Sequence, residues 1–187
     1  NLGLVGFGRI AQGVGSIAQS LGMTVHAYDP YLPSKIAKSQ NTRLHKSVDT
    51  LFSNCTHISI HCNLTEETHH LVNYDRLKKM PGKSPDGIQC GNHVVNCARG
   101  GIVNELDVLK ALNDGVLASA ALDVFEDEPV PKNYELCLHP NFHSTPHIGA
   151  STIEAQRRVG LDIARNVMLV LSNKKCDFIV NKEFLHK

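Results

Sequence analysis

Four groups of residues in this chain have the types and spacing to do chemistry, and each sits beside a short apolar run. The first is Gly6-Phe7-Gly8-Arg9-Ile10-Ala11, directly after the apolar Leu2 to Val5, with Asp29 standing 21 residues past Gly8. Glycines in such a turn let the backbone amides of a helix N-terminus approach a pyrophosphate. A small residue at Ala11 lets helix and strand pack closely, and a carboxylate closing the second strand can accept hydrogen bonds from ribose hydroxyls. Asp29 would repel a 2′-phosphate, and Pro30 and Tyr31 bring no cation to receive one, so the unit predicts NAD rather than NADP. The bland alternative is a tight turn with no ligand and a solvated acid at a strand end.

The other three groups lie where apolar runs give way to loops, which is where an open α/β sheet presents its chemistry. Asn96-Cys97-Ala98-Arg99-Gly100-Gly101 runs a strand into a glycine pair that exposes Arg99, whose planar fork can bind a carboxylate or polarise a keto oxygen. Leu122-Asp123-Val124-Phe125-Glu126-Asp127-Glu128-Pro129 is an acidic loop, and Thr145-Pro146-His147-Ile148-Gly149-Ala150-Ser151-Thr152 leads into the last helix with an imidazole that exchanges a proton near neutral pH. Taken singly, Arg99 is equally compatible with a helix cap or a surface ion pair, Glu128 with a solvated acidic loop, and His147 with a structural hydrogen bond.

These residues need a scaffold, and the chain alternates short apolar runs with amphipathic segments, as a parallel sheet covered by helices on both faces requires. Strands are predicted at Leu2 to Val5, Thr24 to Tyr28, His57 to Cys62, Val94 to Cys97, Ala118 to Val124 and near Phe142 to Ser144. Between the first two, Ile10, Val14, Ile17, Ala18 and Leu21 recur at helical spacing and Gly22 supplies a C-terminal stop. Further helices are predicted at Ser47 to Phe52, Tyr74 to Met80, Glu105 to Asn113 and Ser151 to Leu171. The fold class is α/β, a doubly wound Rossmann-type parallel sheet. Residues 83–93, rich in Gly and Pro, exceed the roughly 2 to 6 residues such a connection needs, so they read as a surface insertion.

Composition narrows the classes. A net charge of +1 over 187 residues, with no run of Lys or Arg, gives no footprint for nucleic acid. No apolar stretch reaches the ~18 residues that span a bilayer, and the N-terminus has no secretory pattern, so no membrane partner and a cytoplasmic location are expected. The six cysteines never form C-x-x-C and are expected to stay reduced. His57, His61, His69 and His70 lack the spacing of a metal site, and none is expected.

In order, the motifs ARGG, DVFxxEP and PHxGxST, following the glycine turn, resemble the D-isomer-specific 2-hydroxyacid dehydrogenase family over Leu2 to about Leu171. Within it, NCARGGIV and PHIGASTIEAQ look most like the phosphoglycerate dehydrogenase branch. The resemblance implies that His147 is the acid/base, that Glu128 orients its ring and favours the imidazolium form, and that Arg99 holds the substrate. It further implies cofactor contacts from Gly6, Gly8, Arg9, Ile10, Asp29, Cys62, Cys97, Ala98, Arg99, Asp123, His147, Gly149 and Ala150. The family usually has proline where Asn63 stands, and the insertion lengthens by about eight residues a connection that relatives keep short.

The same resemblance sets the expectations for function. Residues 1–172 are expected to form the NAD-binding domain, and 173–187 to return toward a substrate domain that this stretch lacks. The reaction expected is NAD-dependent oxidation of D-3-phosphoglycerate to 3-phosphohydroxypyruvate, as in serine biosynthesis, with a homodimer joined through the cofactor domain. The alternatives are dehydrogenases of another small 2-hydroxy or 2-keto acid (glycerate or glyoxylate, lactate, formate) and a co-repressor-like module that senses NAD(H). With half of the cleft absent, this stretch alone is expected to bind NAD(H) and turn over poorly.

Overall fold

The structure, a computed structural model, describes residues 1–181. The chain divides into two compact units, Asn1–Pro146 and His147–Lys187. Of the expected returning segment 173–187, residues 182–187 lie outside the described residues.

The first unit is a seven-stranded parallel sheet in the order β3-β2-β1-β4-β5-β6-β7. Its strands are β1 (Leu2–Val5), β2 (Val25–Tyr28), β3 (Arg43–Leu44), β4 (His57–Ile60), β5 (His93–Asn96), β6 (Ser119–Leu122) and β7 (Phe142–Ser144). Its helices are α1 (Arg9–Ser20), α2 (Ser34–Ser39), α3 (Val48–Phe52), α4 (Tyr74–Leu77), α5 (Glu105–Asn113) and α6 (Glu135–Leu138); the second unit is built on α7 (Ile153–Leu171). The chain winds outward from β1 to β3, then crosses back to lay β4 on the other side of β1. Loops leaving β1 and β4 therefore diverge, and a crevice opens between them.

The alternation of the short strands explains the two-sided core. Leu2 and Leu4 pack with Val25, Ala27 and Phe7 against Ala11 and Ala18 of α1. Val5, one residue on, turns to the opposite face and joins Ile58, Ile60, Leu51 and Phe52. A side chain at Gly15 would meet Leu4 and Val25 at 3.4 Å, so its bare backbone lets α1 sit close to the sheet. Burial among these groups pushes the Cys55 thiol up to about 12.

The six predicted strands and five predicted helices are all present, with ends shifted by a few residues. α2, β3 and α6 were not legible. β3 has two residues, paired as His26 with Arg43 and Ala27 with Leu44, which is too few to show alternation. α2 and α6 have six and four residues, too few to show an amphipathic period. Residues 83–89 of the expected insertion form a mostly exposed turn closed by a Lys83–Gln89 bridge, while Asn92 is buried and His93 opens β5. The turn leads into the N-terminal end of β5, the sheet edge opposite the glycine turn.

Candidate active site

One row of paired residues crosses the C-terminal edge of the sheet. Tyr28 pairs with Val5, Val5 with Ile60, Ile60 with Asn96, Asn96 with Leu122, and Leu122 with Ser144. The residues that follow each strand therefore emerge side by side: Asp29, Gly6, Cys62, Cys97 to Arg99, Asp123 to Glu128, and Thr145. At ~4.8 Å per strand, Gly6 and Asp123 stand roughly 14 Å apart along that edge.

The glycine turn is built by two different requirements. Gly6 has φ of 86°, and a Cβ there would lie 2.9 Å from the backbone of His61 and Cys62, so the turn presses on the end of β4. Gly8 has no such neighbour: a Cβ there would enter open space in a cavity of about 430 Å³ that Gly8 itself lines with Gly6, Asp29, Tyr31, Cys62 and Asn63. That empty path leads to the start of α1, whose N-cap Gly8 makes no side-chain cap and whose first turn carries no acid. By contrast α3, α4, α5 and α7 are capped by Ser47, Asn73, Asn104 and Thr152. Uncapped amides facing a cradle that any side chain would fill fit a pyrophosphate.

Asp29 also holds the turn in shape. Its Oδ2 accepts the Phe7 N–H at 2.9 Å and its Oδ1 the Tyr31 N–H at 2.9 Å. Both oxygens keep acceptor capacity for ribose hydroxyls. Nearby, burial holds the His61 imidazole below its ordinary value, and burial together with the Asp29 charge raises the Cys62 thiol. Arg9 and Ile10 open α1 without lining the cavity, so their part falls to the backbone amides.

Farther along the edge, buried Asn96 shapes the arginine turn. Its Oδ1 accepts the Ala98 N–H and its Nδ2 donates to the Arg99 carbonyl, both at 2.9 Å. Arg99 is exposed, donates from Nη1 to the Ala98 carbonyl, and forms no ion pair among the described residues. Gly100 is fixed by sterics, because a Cβ there would fall 1.8 Å from the Phe125 carbonyl oxygen. The arginine turn thus lies directly against the loop that carries Glu128, whose Oε1 accepts the Phe125 N–H at 3.0 Å.

Asp123 is 4% exposed and accepts the Thr145 hydroxyl at 2.5 Å. Burial, then the Asp123 charge, raises the Cys97 thiol. Asn96 and Thr145 lie inside the motif stretches, but the motifs assign them no role; an Asn placed two residues before Ala98 is nonetheless a readable Asx turn.

The first unit therefore brings together Gly6, Gly8, Asp29, Cys62, Cys97, Ala98, Arg99, Asp123 and Glu128. His147, Gly149 and Ala150 belong to the second unit. His147 is its first residue and takes φ of 54°, a left-handed conformation uncommon for non-glycine residues, histidine being among those that adopt it most. Two residues earlier, the Thr145 hydroxyl is anchored on Asp123. Among the described residues no group of three or more His, Cys, Asp or Glu could hold a metal. His70 is engaged elsewhere, with Glu126 and His69.

Residues 1–149 match the family model described as "D-isomer specific 2-hydroxyacid dehydrogenase, NAD binding domain". The chain belongs to this family. It carries the family's NAD-binding domain, and its seven-stranded sheet is the Rossmann-type arrangement of these dehydrogenases. It is 37% identical over 180 residues to a D-3-phosphoglycerate dehydrogenase of Methanocaldococcus jannaschii, covering 96% of this chain and 33% of that protein. Against a glyoxylate reductase of Thermofilum pendens the identity is 37% over 184 residues, covering 98% and 52%. A solved glyoxylate reductase from Paecilomyes thermophila superposes with a TM-score of 0.82 at 28% identity, covering 97% of this chain and 52% of its own. The chain thus spans about a third to a half of the relatives it matches. No helix among the described residues is long and apolar enough to cross a membrane.

Proposed function

We propose that the protein catalyses the NAD-dependent oxidation of D-3-phosphoglycerate to 3-phosphohydroxypyruvate, the entry step of serine biosynthesis. The observation that carries the dehydrogenase reading is the register of the sheet edge, which sets the glycine turn, Asp29, Arg99, Asp123 and Glu128 in one row beside the crevice. The phosphoglycerate branch is supported by the likeness to D-3-phosphoglycerate dehydrogenases. A similar likeness to glyoxylate reductase supports a second reading, reduction of a small unphosphorylated 2-keto acid.

When bound, NAD supplies the acceptor for the hydride that leaves C2 of the hydroxy acid. The chain's own residues do the remaining work. Arg99, exposed at its turn, holds the substrate carboxylate or its keto oxygen with a two-pronged hydrogen bond. His147 takes the hydroxyl proton during oxidation and returns it during reduction, and Glu128 orients the imidazole. Gly8 and the first turn of α1 hold the pyrophosphate, Asp29 the ribose, and Cys97, Ala98 and Asp123 flank the nicotinamide end. This reading includes a cytoplasmic homodimer joined through the cofactor domain, which light scattering on the full-length protein would check.

The deciding experiment compares kcat/KM of the full-length protein for 3-phosphohydroxypyruvate, hydroxypyruvate and glyoxylate with NADH. Preference for the phosphorylated acid by at least about a hundredfold is expected, because a site built for a charged group leaves its cations unpaired with the smaller acids. Equal or better use of glyoxylate would select the second reading.

A further inference from the structure

Three loops leave the sheet edge side by side, after β4, β5 and β6, and one hydrogen-bonded cluster ties them together, its side chains outside the lining of the cofactor crevice. His70 holds a left-handed φ of 49° and donates its backbone N–H to the Gly101 carbonyl at 2.8 Å. Its Nδ1 faces the Asn104 side-chain amide at 3.4 Å, while its Nε2 meets Glu126 Oε1 at 2.9 Å. An amide N–H pointing at Nδ1 makes that nitrogen the acceptor, so Nε2 carries the hydrogen and donates it to Glu126.

The backbone of Glu126 is gripped as well. Its N–H donates to Glu105 Oε1 at 2.6 Å, and the Tyr134 hydroxyl donates to Glu105 Oε2 at 2.5 Å. Glu105 is 6% exposed and opens α5, where the helix dipole favours a carboxylate. Burial and this carboxylate push the Tyr134 phenol well above its ordinary range. The same residues wall a cavity of about 280 Å³, so packing does not back the loop on that side and the hydrogen bonds must hold it.

We propose that Glu126 is a positioning residue: clamped by His70 on its side chain and by Glu105 on its backbone, it fixes the 125–128 turn and so sets the direction of the Glu128 carboxylate. The connection is short. Phe125, the neighbour of Glu126, presses its carbonyl against Gly100 and donates its N–H to Glu128 Oε1. Cutting its side-chain half, the His70 bond, loosens the turn while the Glu105 bond to the backbone stays, and none of these residues lines the cofactor crevice, so it acts on turnover and leaves NADH binding alone. This rests on the role given to Glu128 above.

The test is a double-mutant cycle in the full-length protein with NADH and whichever of 3-phosphohydroxypyruvate, hydroxypyruvate or glyoxylate it reduces fastest. Glu126→Ala should lower kcat about tenfold, and Glu126→Gln, which keeps an oxygen for His70, should stay within about twofold. The NADH Kd should hold within about twofold for both, and adding Glu126→Ala to Glu128→Gln should cost nothing more. His70→Ala cuts the same bond from the other side and takes its place if Glu126→Ala folds poorly. An unchanged kcat in Glu126→Ala, or losses that multiply with Glu128→Gln, would overturn the proposal. Full activity in Glu128→Gln would remove the role of Glu128 and the positioning role with it, and a parent inactive on all three acids would overturn the dehydrogenase reading itself.

Discussion

Asp29 accepts the backbone N–H of Phe7 through Oδ2 at 2.9 Å, so the acid that closes the second strand also clamps the glycine turn at the end of the first. With Oδ1 on the Tyr31 amide, one carboxylate ties the loops after β1 and β2 together on one side of the crevice. Asp29→Ala removes two charge-assisted hydrogen bonds from the turn as well as the ribose partner. Titration calorimetry should show NADH affinity falling by about a hundredfold, from roughly 1.5 to 3 kcal/mol for each such bond less what water recovers. Unchanged affinity would mean that the ribose binds elsewhere.

Gly100 is the tightest steric constraint in the site. A methyl group there would overlap the Phe125 carbonyl, so Gly100→Ala must push the arginine turn and the Glu128 loop apart. A loss of about 3 kcal/mol in urea unfolding is expected, at the upper end of what overpacking costs. Gly8→Ala meets nothing, so it should leave stability within about 0.5 kcal/mol while weakening NADH binding.

Buried histidine sets an acid limit on stability. Burial first, then the charges of His45 and Arg43, lowers the His26 imidazole from 6.5 to about 4, and its ring shares a 2.8 Å hydrogen bond with His45. In the unfolded chain the ring takes a proton near its ordinary value, so between those two limits the unfolded state binds more protons. Stability present at neutral pH is therefore lost as pH falls through 6.5, and this loss levels off below about 4. His26 contributes up to roughly 3 kcal/mol of that loss. Urea midpoints measured across the window should fall with pH, and His26→Asn should reduce the slope by about one proton.

Much of this was written in the chain. The glycine turn, Asp29 and the three motif loops follow strands whose apolar runs are long enough to see, and a parallel sheet brings every such strand end to one edge. Asp29 as a clamp on Phe7 was not legible, because the bond joins two loops that only the β1–β2 register brings together. Nor was the His70–Glu126 contact, which spans loops from β4 and β6. His69 and His70 read only as lacking the spacing of a metal site, because nothing in local spacing points His70 at Glu126. Gly100 read as a turn residue; that it lies against Phe125 depends on the β5–β6 pairing.

Arg99 shows what lysine cannot replace. Asn96 fixes its turn, so the guanidinium is presented from a rigid base rather than a mobile loop. Arg99→Lys keeps the charge but loses the fork, and kcat/KM for the keto acid should drop by about a hundredfold, far more than NADH affinity does. Steady-state kinetics of the full-length variant would check it; retention of most activity would assign substrate binding to another cation.

The most direct measurement is NADH consumption by the full-length protein and its His147→Gln variant, each given 3-phosphohydroxypyruvate and each titrated with NADH alone. If His147 exchanges the proton while the glycine turn and Asp29 hold most of the cofactor, the variant still binds NADH, within about tenfold of the parent, and loses about 10² to 10⁴-fold in kcat. Turnover preserved in the variant, or no NADH binding by the parent, would contradict it.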